Sequence, residues 1–324
     1  MAEFEVIIPY FQRKPGLLAR ALESVFAQGV DSVRVHVVDD GSPRSARLDI
    51  AALPLDQVSA INLIEQANAG ATAARNRGLA ELSPDAQFVA FLDSDDVWQA
   101  NHLKRAREAL KAPDISLFFD RMAAEKSFAE GYERPSKQID PDLIDRKTKS
   151  SPTFEISDPV KLLCGDWYRV LHLSVTVISA SLARRVHFDE AFRLAEDFEF
   201  YGRCASQSGR WIADDRIGAR RGTGENLWHG TQTTDTRYAR EKYFTMRALK
   251  RLKARNGANP DVVEQIDERL ALYRDQFYWS QRDKMRAGSM LDLGLVMQFV
   301  AYDPALLKFF AQKVTSRGQA VRPS

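Results

Sequence analysis

Short β-branched runs alternate with amphipathic stretches over the first 120 residues, and this alternation limits the fold more than any other feature of the chain. Val6–Ile8 and Val33–Val38 are typical of buried strands, and between them Leu18, Leu22 and Val25 recur at helical spacing. Two further strand-and-helix pairs follow. This repeated order predicts an α/β fold, with a largely parallel sheet covered by helices on both faces.

The pattern changes after this region. Residues 121–157 are polar and contain three prolines, so we expect a mobile or weakly ordered excursion there. Strand character returns at 174–178. A predicted helix then carries the acidic pair Glu196 and Asp197.

The C-terminal region is helical and basic, with 17 Lys and Arg against 9 Asp and Glu from residue 236 onward. Asn259 followed by Pro260 predicts a helix start. The apolar residues beyond it step by three and four, so we expect this helix to pack on the preceding one. We therefore divide the chain into a main domain, 1–235, with a nucleotide-sugar half, 1–120, and an acceptor half, 121–235, followed by a basic helical region, 236–324.

Composition indicates both the class of protein and the cellular compartment in which it works. The chain is 44% hydrophobic and 28% charged, which fits a folded globular protein. Its two cysteines, Cys164 and Cys204, are too few for a disulfide framework, so we expect buried thiols in a reducing compartment. The acidic opening Met1–Glu5 is unlike a secretory signal, and no apolar run reaches about 18 residues. We expect a cytoplasmic protein that meets the inner face of the cytoplasmic membrane only from its surface.

Polar clusters follow three of the predicted strands, at Pro9–Phe11, Asp39–Ser42 and Asp93–Asp96. In a parallel α/β sheet, ligands bind at the carboxyl ends of the strands. We therefore expect the three clusters to lie together and to form a binding site.

The cluster Asp93–Asp96 places three carboxylates within four residues. Each close pair repels by about 1 kcal/mol at a surface-like dielectric, and a bound cation would relieve this repulsion. Oxygen ligands that leave positions open for phosphate are typical of Mg²⁺ or Mn²⁺. Asp93 and Asp95 share one side of an extended chain, so both can face one ligand. A solvated acidic loop is the alternative interpretation.

The pair Asp39 and Asp40 also has two interpretations. Asp, Gly and Ser are common turn residues, so this cluster could be a turn without a ligand. In the functional interpretation, a carboxylate here accepts the imide N–H of a uracil ring. Tyr10 or Phe11 would then cover the face of that ring.

The segment Asn68–Gly78 follows the third predicted strand and is rich in Ala and Gly. Small residues let a helix begin close to a ligand, and Arg75 offers a planar set of donors to phosphate or base. Close helix packing is the alternative explanation for the small residues. It does not account for Arg75 among them.

Together these four segments closely resemble the inverting family 2 glycosyltransferases. The similarity covers about the first 110 residues, in the family's order and spacing. It implies the GT-A fold, a Rossmann-like mixed and mainly parallel sheet flanked by helices, with a UDP-sugar as donor substrate and Mn²⁺ or Mg²⁺ as cofactor. By this resemblance the nucleotide-sugar-binding residues are Pro9, Tyr10, Phe11, Asp39, Asp40, Asn68, Arg75, Asp93 and Ser94, and the metal ligands are Asp95, Asp93 and His229.

The resemblance also implies a general base in a Glu-Asp pair that follows a Phe-Asp-Glu segment. Phe188–Glu190 and then Glu196 and Asp197 fit this pattern. Asp197 would remove the proton of the acceptor hydroxyl as its oxygen attacks the anomeric carbon, and Glu196 would orient it or contact the acceptor. Attack from the opposite face turns an α-linked donor into a β-linked product. A solvated acid pair at a helix start is the alternative.

The sequence departs from the family's pattern at the position where a metal-ligating histidine is expected. The family often has a histidine directly after an Arg-Arg-like pair, whereas here Gly222 follows Arg220 and Arg221. His229 is the best placed of the five histidines, and both a metal-ligating and a structural role stay open for it.

The sequence as a whole is similar to those of bacterial exopolysaccharide enzymes of the succinoglycan type, which transfer glucose. This implies a saccharide acceptor, such as a polyprenyl-diphosphate oligosaccharide. Between Arg237 and Arg255, eight basic residues meet one acid, Glu241. Attraction of this region to an anionic membrane and a solvated helix face are equally consistent with that charge.

Two other classes of function compete with this hypothesis. Leu92–Val97 also fits the Asp-x-Asp-x-Val strand of haloacid-dehalogenase-like phosphatases, in which Asp93 would be phosphorylated. That fold places the motif on its first strand, whereas here it follows the fourth predicted strand. A basic nucleic-acid-binding module is the second alternative, but acidic strand ends argue against nucleic acid as a partner.

Overall fold

The computed structural model describes residues 2–123, 134–148, 150–207, 209–222 and 233–315. These residues form two compact units. The described residues of 2–191 and 203–222 form the first unit, and those of 192–202 and 233–315 form the second. The segment that carries Glu196 and Asp197 therefore belongs with the C-terminal helices.

The first unit is built on one mixed sheet. Its strands among the described residues are β1 (Phe4–Tyr10), β2 (Val33–Asp40), β3 (Ile61–Gln66), β4 (Phe88–Phe91), β5 (Val97–Trp98), β6 (Ile115–Ala123), β7 (Ile144–Asp145), β8 (Thr153–Ile156), β9 (Thr176–Ser179) and β10 (Arg210–Arg220). The spatial order is β3-β2-β1-β4-β9-β6-β10-β8-β7, and β5 pairs with β10.

Most of the central pairings are parallel. β3, β2, β1 and β4 run in one direction, as do β6 and β10. β9 lies between β4 and β6 and is antiparallel to both, so it is the one reversed strand in the middle of the sheet. The outer pairs β10–β8, β8–β7 and β10–β5 are antiparallel as well.

Helices flank this sheet, as the β-then-α alternation predicts. Those of the first unit are α1 (Leu17–Phe26), α2 (Arg47–Ile50), α3 (Leu55–Ser59), α4 (Ala71–Ala80), α5 (His102–Ala109), α6 (Pro135–Gln138), α7 (Pro159–Cys164) and α8 (Ala180–Ala183). Leu18, Leu22 and Val25 of α1 are buried in the core, as their spacing predicts. The predicted mixed, mainly parallel α/β sheet is confirmed.

The weakly ordered excursion predicted for 121–157 is wrong for the described residues of that stretch. β6 continues to Ala123, and β8 pairs antiparallel with β10. Phe154 and Ile156 alternate into the core, 3% and 1% exposed. β8 has only four residues and follows Pro152. Its two apolar positions are too few to show a strand periodicity in the sequence. Residues 124–133 lie outside the described part of the chain.

The remaining helices are α9 (Glu196–Ala205), α10 (Thr236–Arg255), α11 (Pro260–Arg286), α12 (Leu293–Tyr302) and α13 (Ala305–Thr315). Asn259 caps α11 by accepting a hydrogen bond from Val262 N, with Pro260 at the first helical position, as predicted. Ile266, Leu270 and Phe277 are buried, and α11 packs against α10. No helix in the described ranges combines the length and apolar character needed to cross a bilayer.

Both cysteines are free thiols buried in the protein, as the sequence predicts. Cys164 ends α7 and Cys204 lies near the end of α9.

One glycine sets how closely α4 approaches the sheet. A Cβ at Gly78 would lie 2.6 Å from Ile7 Cγ2, and Ile7 is fully buried in β1. Isoleucine is stiff at χ1, so it cannot move aside without disturbing its neighbours. The small residues of this helix therefore serve close packing, and that packing positions Arg75 one turn earlier on the same helix.

We expect Gly78→Ala to destabilise the protein by about 1–3 kcal/mol, because overpacking against β1 exceeds the helix propensity that alanine adds. Urea unfolding measures this change as a lower midpoint. The control is Gly294→Ala in α12, where a Cβ would meet nothing closer than 3.9 Å. Equal or higher stability for both variants would show that α4 does not depend on this contact.

Candidate active site

The ends of four neighbouring strands meet at one edge of the sheet. β3, β2, β1 and β4 are adjacent and parallel, so the loops that follow them emerge on the same side. Their register aligns Tyr10 with Asp39 and Asp40 with Gln66. The three polar clusters expected from the sequence therefore lie at one edge.

Two later segments reach the same edge. Because β9 runs antiparallel to β4, its amino end lies there, and with it the preceding turn that contains His172 and Ser174. β10 runs parallel to β6, so its carboxyl end brings Arg221 and Gly222. The sequence gives no sign that residues near 172 and 222 approach Asp93–Asp96.

Asp39 forms the turn after β2. One carboxylate oxygen accepts a hydrogen bond from Ser42 N at 2.8 Å and the other from Ala46 N at 2.9 Å, and the residue is 5% exposed. These are the hydrogen bonds expected when Asp39 serves as a turn residue, which is the first of its two interpretations. Asp39 thus shapes the loop after β2, and its neighbour Asp40 is buried as well, 3% exposed.

Asp40 organises the start of α4. Its Oδ1 accepts hydrogen bonds from Gln66 Nε2 at 2.7 Å and Ala69 N at 2.8 Å, and its Oδ2 accepts one from Gly70 N at 2.8 Å. Gly41 follows at φ +65°, and a Cβ there would lie 3.0 Å from Asn68 N. This left-handed glycine lets the loop after β2 approach the loop after β3 closely. Asn68, in the loop after β3, is exposed.

The residues that end β1 differ in exposure. Tyr10 is 1% exposed, and burial, with the nearby charges of Asp49 and Asp39, raises its pKa to about 12. Phe11 is 37% exposed, so its ring, and not that of Tyr10, reaches the surface. Pro9, between buried neighbours, is half-buried.

Gln12 ties the three loops together, and sequence reasoning missed it. Its backbone N–H donates to Ser42 Oγ at 2.7 Å, and the Ser42 hydroxyl donates to Gln12 O at 2.8 Å. Its side-chain amide donates to Ser94 Oγ at 3.2 Å. The buried Gln12 therefore links the loops after β1, β2 and β4.

The acidic cluster forms a tight turn between β4 and β5. Asp96 N donates to Asp93 O at 3.0 Å, which closes the turn. Asp93 and Asp95 are half-buried, whereas Ser94 and Asp96 are buried. The side chains still alternate between surface and interior, as the period-2 argument predicts, although the segment is not a strand.

Asp93 is paired with Arg75. The guanidinium donates to Asp93 Oδ1 at 2.8 Å, and the arginine is almost fully buried while the carboxylate is 32% exposed. Burial alone would raise the pKa of Asp93, but Arg75, His172 and Arg221 outweigh it and hold the pKa below its usual range. Asp93 is thus ionised and partly open to ligand.

Asp96 is the buried anchor of the turn. Its Oδ2 accepts from Ser174 Oγ at 2.6 Å and its Oδ1 from Gly222 N at 2.9 Å. Burial and the charges of Asp93 and Asp95 raise the pKa of Asp96 well above its usual range. A Cβ at Gly222 would lie 1.6 Å from the Asp95 carbonyl oxygen, so only glycine fits beside this turn.

Ser174 makes four hydrogen bonds at the cluster. Its hydroxyl donates to Asp96 and accepts from Asp93 N at 3.0 Å. Its backbone N–H donates to His172 Nδ1 at 3.2 Å, and its carbonyl accepts from Trp98 Nε1 at 2.6 Å. One serine therefore contacts the Asp96 carboxylate, the backbone of Asp93 and the His172 imidazole.

His172 is a histidine that the sequence analysis does not single out. His36 and His102 are structural, since each is buried and bonded to a carboxylate. His172 instead lies beside the acidic turn, with Nδ1 3.9 Å from Asp96 Oδ2. Burial lowers the pKa of His172 to about 4, although the charge of Asp93 opposes this.

The donor set fits a small divalent cation. Ligand atoms of Asp93, Asp96 and His172 all lie within 4.8 Å of one another. Carboxylate oxygens and a neutral imidazole are ligands that Mn²⁺ accepts, and Mg²⁺ prefers the carboxylates. Asp93 and Asp95 are half-buried, whereas Asp96 is buried and accepts hydrogen bonds from Ser174 and Gly222.

The Phe-Asp-Glu segment is held against α4. Asn76 accepts from Phe188 N at 2.9 Å and donates to Phe188 O at 2.9 Å and to Glu190 Oε1 at 3.0 Å. The Arg75 guanidinium lies over the Phe188 ring, 5.6 Å from its centre. Asn76 is a second residue that sequence reasoning missed, although it lies within the Asn68–Gly78 segment.

Glu196 and Asp197 open α9 in the second unit. Both are half-buried, and Asp197 Oδ1 accepts from Phe198 N at 2.7 Å. The residue before them, Ala195, has φ +55°, a left-handed conformation that is rare for residues with a Cβ and is often found at functional sites. His229 lies outside the described residues.

The mixed sheet with an acidic turn at its edge is the GT-A fold of nucleotide-sugar-dependent glycosyltransferases. Among solved structures, S. aureus TarS 1-349 in complex with UDP-GlcNAc superposes with a TM-score of 0.61, at 17% identity, over 92% of this chain and 80% of that one. The mannosyltransferase PcManGT from Pyrobaculum calidifontis, in complex with GDP-Man and Mn²⁺, gives 0.57 at 15% identity, over 96% and 84%. These similarities establish the fold.

The chain belongs to glycosyl transferase family 2, whose profile matches residues 5–167. It is 32% identical over 308 residues to the succinoglycan biosynthesis protein ExoW of Rhizobium meliloti (strain 1021), covering 95% of this chain and 96% of that protein. It is 26% identical over 217 residues to the minor teichoic acid biosynthesis protein GgaA of Bacillus subtilis (strain 168), covering 65% and 45%. The predicted family is confirmed, and the phosphatase hypothesis for Asp93 is wrong.

We expect Ser174→Ala to lower transfer activity about 10- to 100-fold, as is typical when a group that orients metal ligands is removed. The substitution leaves Asp93 N and the Asp96 carboxylate without their hydroxyl partner. Steady-state kinetics with the nucleotide sugar measures the loss.

Ser24→Ala is the matched control, because the buried Ser24 hydroxyl likewise accepts from a backbone N–H, that of Trp98, but donates to the Ala21 carbonyl and not to a carboxylate. We expect it to lower stability without a comparable loss of activity. Similar activity losses in both variants would assign Ser174 to folding alone.

Proposed function

We propose that this protein is an inverting, metal-dependent hexosyltransferase that moves glucose from UDP-glucose to a saccharide acceptor and forms a β-linkage. The acceptor is an oligosaccharide carried on polyprenyl diphosphate. The product is part of an extracellular polysaccharide. The enzyme works in the cytoplasm, at the inner face of the cytoplasmic membrane.

One observation carries this proposal. In a family 2 glycosyltransferase chain, the loops that bear Asp40 and Asp93–Asp96 and the helix that bears Arg75 meet at one edge of the sheet and are joined by hydrogen bonds. An anionic turn beside a buried arginine suits a diphosphate bridged by a cation. The similarity to a succinoglycan biosynthesis protein along nearly the whole chain supports an exopolysaccharide product. Glucose is the sugar implied by the resemblance of the sequence to enzymes of the succinoglycan type.

The nucleotide binds along the loops after β1, β2 and β3 in this proposal. Phe11 offers the exposed ring that would cover the uracil face, and it directly follows Pro9 and Tyr10 at the end of β1. Asp40 accepts three hydrogen bonds from its own chain and still has acceptor capacity for the imide N–H. Asn68 is exposed beside it.

Asp93 and Asp95 would hold the divalent cation, Mn²⁺ or Mg²⁺. When bound, the cation neutralises the diphosphate and stabilises the departing UDP. Arg75 fixes Asp93 through its ion pair and keeps a cationic group behind the turn. Ser94 anchors the turn through Gln12, and Asp96 anchors it through Ser174.

Asp197 is the general base in this proposal. It takes the proton of the acceptor hydroxyl while that oxygen forms a bond to the anomeric carbon and the bond to UDP breaks. Glu196 orients Asp197 or contacts the acceptor. The left-handed Ala195 fixes the direction in which the first turn of α9 presents both acids. His229 is kept as a third metal ligand.

We expect Asp95→Asn to weaken Mn²⁺-dependent UDP binding and to abolish transfer, because a ligand of the cation is lost. We expect Asp197→Asn to lower kcat about 100- to 10,000-fold while UDP binding stays unchanged. Calorimetry with UDP and Mn²⁺ separates the two roles.

Asp56→Asn, on the exposed surface of α3, is the control for loss of one negative charge. UDP affinity that is equal in wild type and Asp95→Asn would contradict the metal role. Full transfer activity in Asp197→Asn would contradict the role as base.

The donor is tested by a thermal-shift panel of UDP-glucose, UDP-galactose, UDP-GlcNAc and GDP-mannose, with and without Mn²⁺. We expect UDP-glucose with Mn²⁺ to raise the melting temperature most, since a ligand stabilises the folded state that binds it. A larger shift with GDP-mannose would refute the assignment of a uridine nucleotide.

A further inference from the structure

The second unit exposes several large apolar side chains on α12 and next to it in the sequence. Met290, Leu293 and Met297 are 87%, 60% and 72% exposed. Leu293 and Met297 are four residues apart, so they share one side of the helix. We call that side of α12 the α12 face, together with Met285, Met290 and Leu307, which are exposed before and after α12 in the sequence.

The opposite side of α12 is also apolar, and it is covered. Leu295 and Phe299 are 5% and 1% exposed, and the Phe299 ring stacks on Phe277 of α11 at 4.1 Å. α12 is therefore apolar on two sides, of which only one has a partner within the described chain. Exposed apolar surface of this kind marks a binding site for a protein or a membrane.

The exposed charges nearest to the α12 face in the sequence are positive, whereas Asp283 and Asp292 are half-buried. Arg286 and Lys308 are exposed beside it in the sequence. Of the nearby acids, Asp292 caps α12 by accepting from Leu295 N, and Asp303 is 2% exposed and bound by Lys250 and Arg274. Among described residues 285–315 no carboxylate is exposed.

The basic helix α10, by contrast, uses most of its cations inside the second unit. Lys250 binds Asp303, Lys253 binds Asp267, and Arg251 and Arg255 both bind Glu199. The Arg247 guanidinium lies over aromatic rings. The charge count of residues 237–255 therefore does not locate a membrane-binding surface, and the α12 face is the better candidate.

We propose that the α12 face binds the surface of an anionic lipid bilayer, with its methionines and leucines among the acyl chains and Arg286 and Lys308 among the headgroups. Apolar side chains flanked by cations are typical of helices that lie in the membrane interface. A second copy of this chain suits the surface less well, since a two-fold contact would bring like charges together with no exposed acid among described residues 285–315 to pair them. This inference deepens the proposed function, because a polyprenyl-linked acceptor is presented at such a surface.

The test uses the full chain and vesicles of phosphatidylcholine with and without phosphatidylglycerol, in a flotation assay. We expect the double variant Leu293→Ser, Met297→Ser to bind anionic vesicles about tenfold more weakly, because less apolar area is buried. Leu55→Ser, at a residue 88% exposed in the first unit, is the matched control and should bind as wild type does. Arg286→Gln and Lys308→Gln should each weaken binding to anionic vesicles about fivefold and leave neutral vesicles unaffected.

Equal vesicle binding by wild type and the Leu293/Met297 variant would overturn the inference. So would a wild-type dimer in light scattering that the variant disrupts, if neither protein binds vesicles. The melting temperature of the variant and its transfer to a short soluble acceptor should match wild type, which shows that the fold and the active site are intact. Vesicle binding by a wild-type protein that transfers no sugar would refute the proposed function and leave the α12 face standing.

Discussion

Asp93 and Asp96 share one tight turn, and they can do so only because each carboxylate has its own partners. Arg75 neutralises Asp93, while Ser174 and Gly222 donate hydrogen bonds to Asp96. Without these partners, two carboxylates so close in a partly buried place would repel strongly, since the surroundings screen charge less than water does. The partners come from α4, from the turn before β9 and from the end of β10. The turn thus depends on the whole sheet edge.

The reversed strand β9 explains the composition of this edge. In a wholly parallel sheet, the residues before a strand would lie at the opposite edge from the ligand. Because β9 is antiparallel to β4 and β6, the turn that contains His172 and Ser174 lies beside Asp93 and Asp96 instead. A single reversal of strand direction therefore supplies the hydroxyl and the imidazole of the cluster.

Local sequence patterns predicted those helices and strands in which buried residues recur at regular spacing. The strands that end at Tyr10 and Asp40, and α1 between them, follow from β-branched runs and apolar spacing, since each has one environment along its length. β8 was missed because only Phe154 and Ile156 of its four residues face the core. In α10, the excess of basic residues was visible, but the acids that bind them, Glu199 and Asp303 among them, lie far away in the sequence.

The sequence alone determined the family, the α/β alternation and the acidic clusters at the strand ends, because these depend on residue order and local spacing. Only the tertiary structure decided that Ser174, His172 and Gly222 join Asp93–Asp96 and that Tyr10 is buried while Phe11 is exposed. It also decided that the described residues leave one side of α12 uncovered. The physical reason is the same in each case. Burial and hydrogen bonding at a residue are set by segments that strand direction and helix packing bring next to it, and the residue's own neighbours in the chain do not encode them.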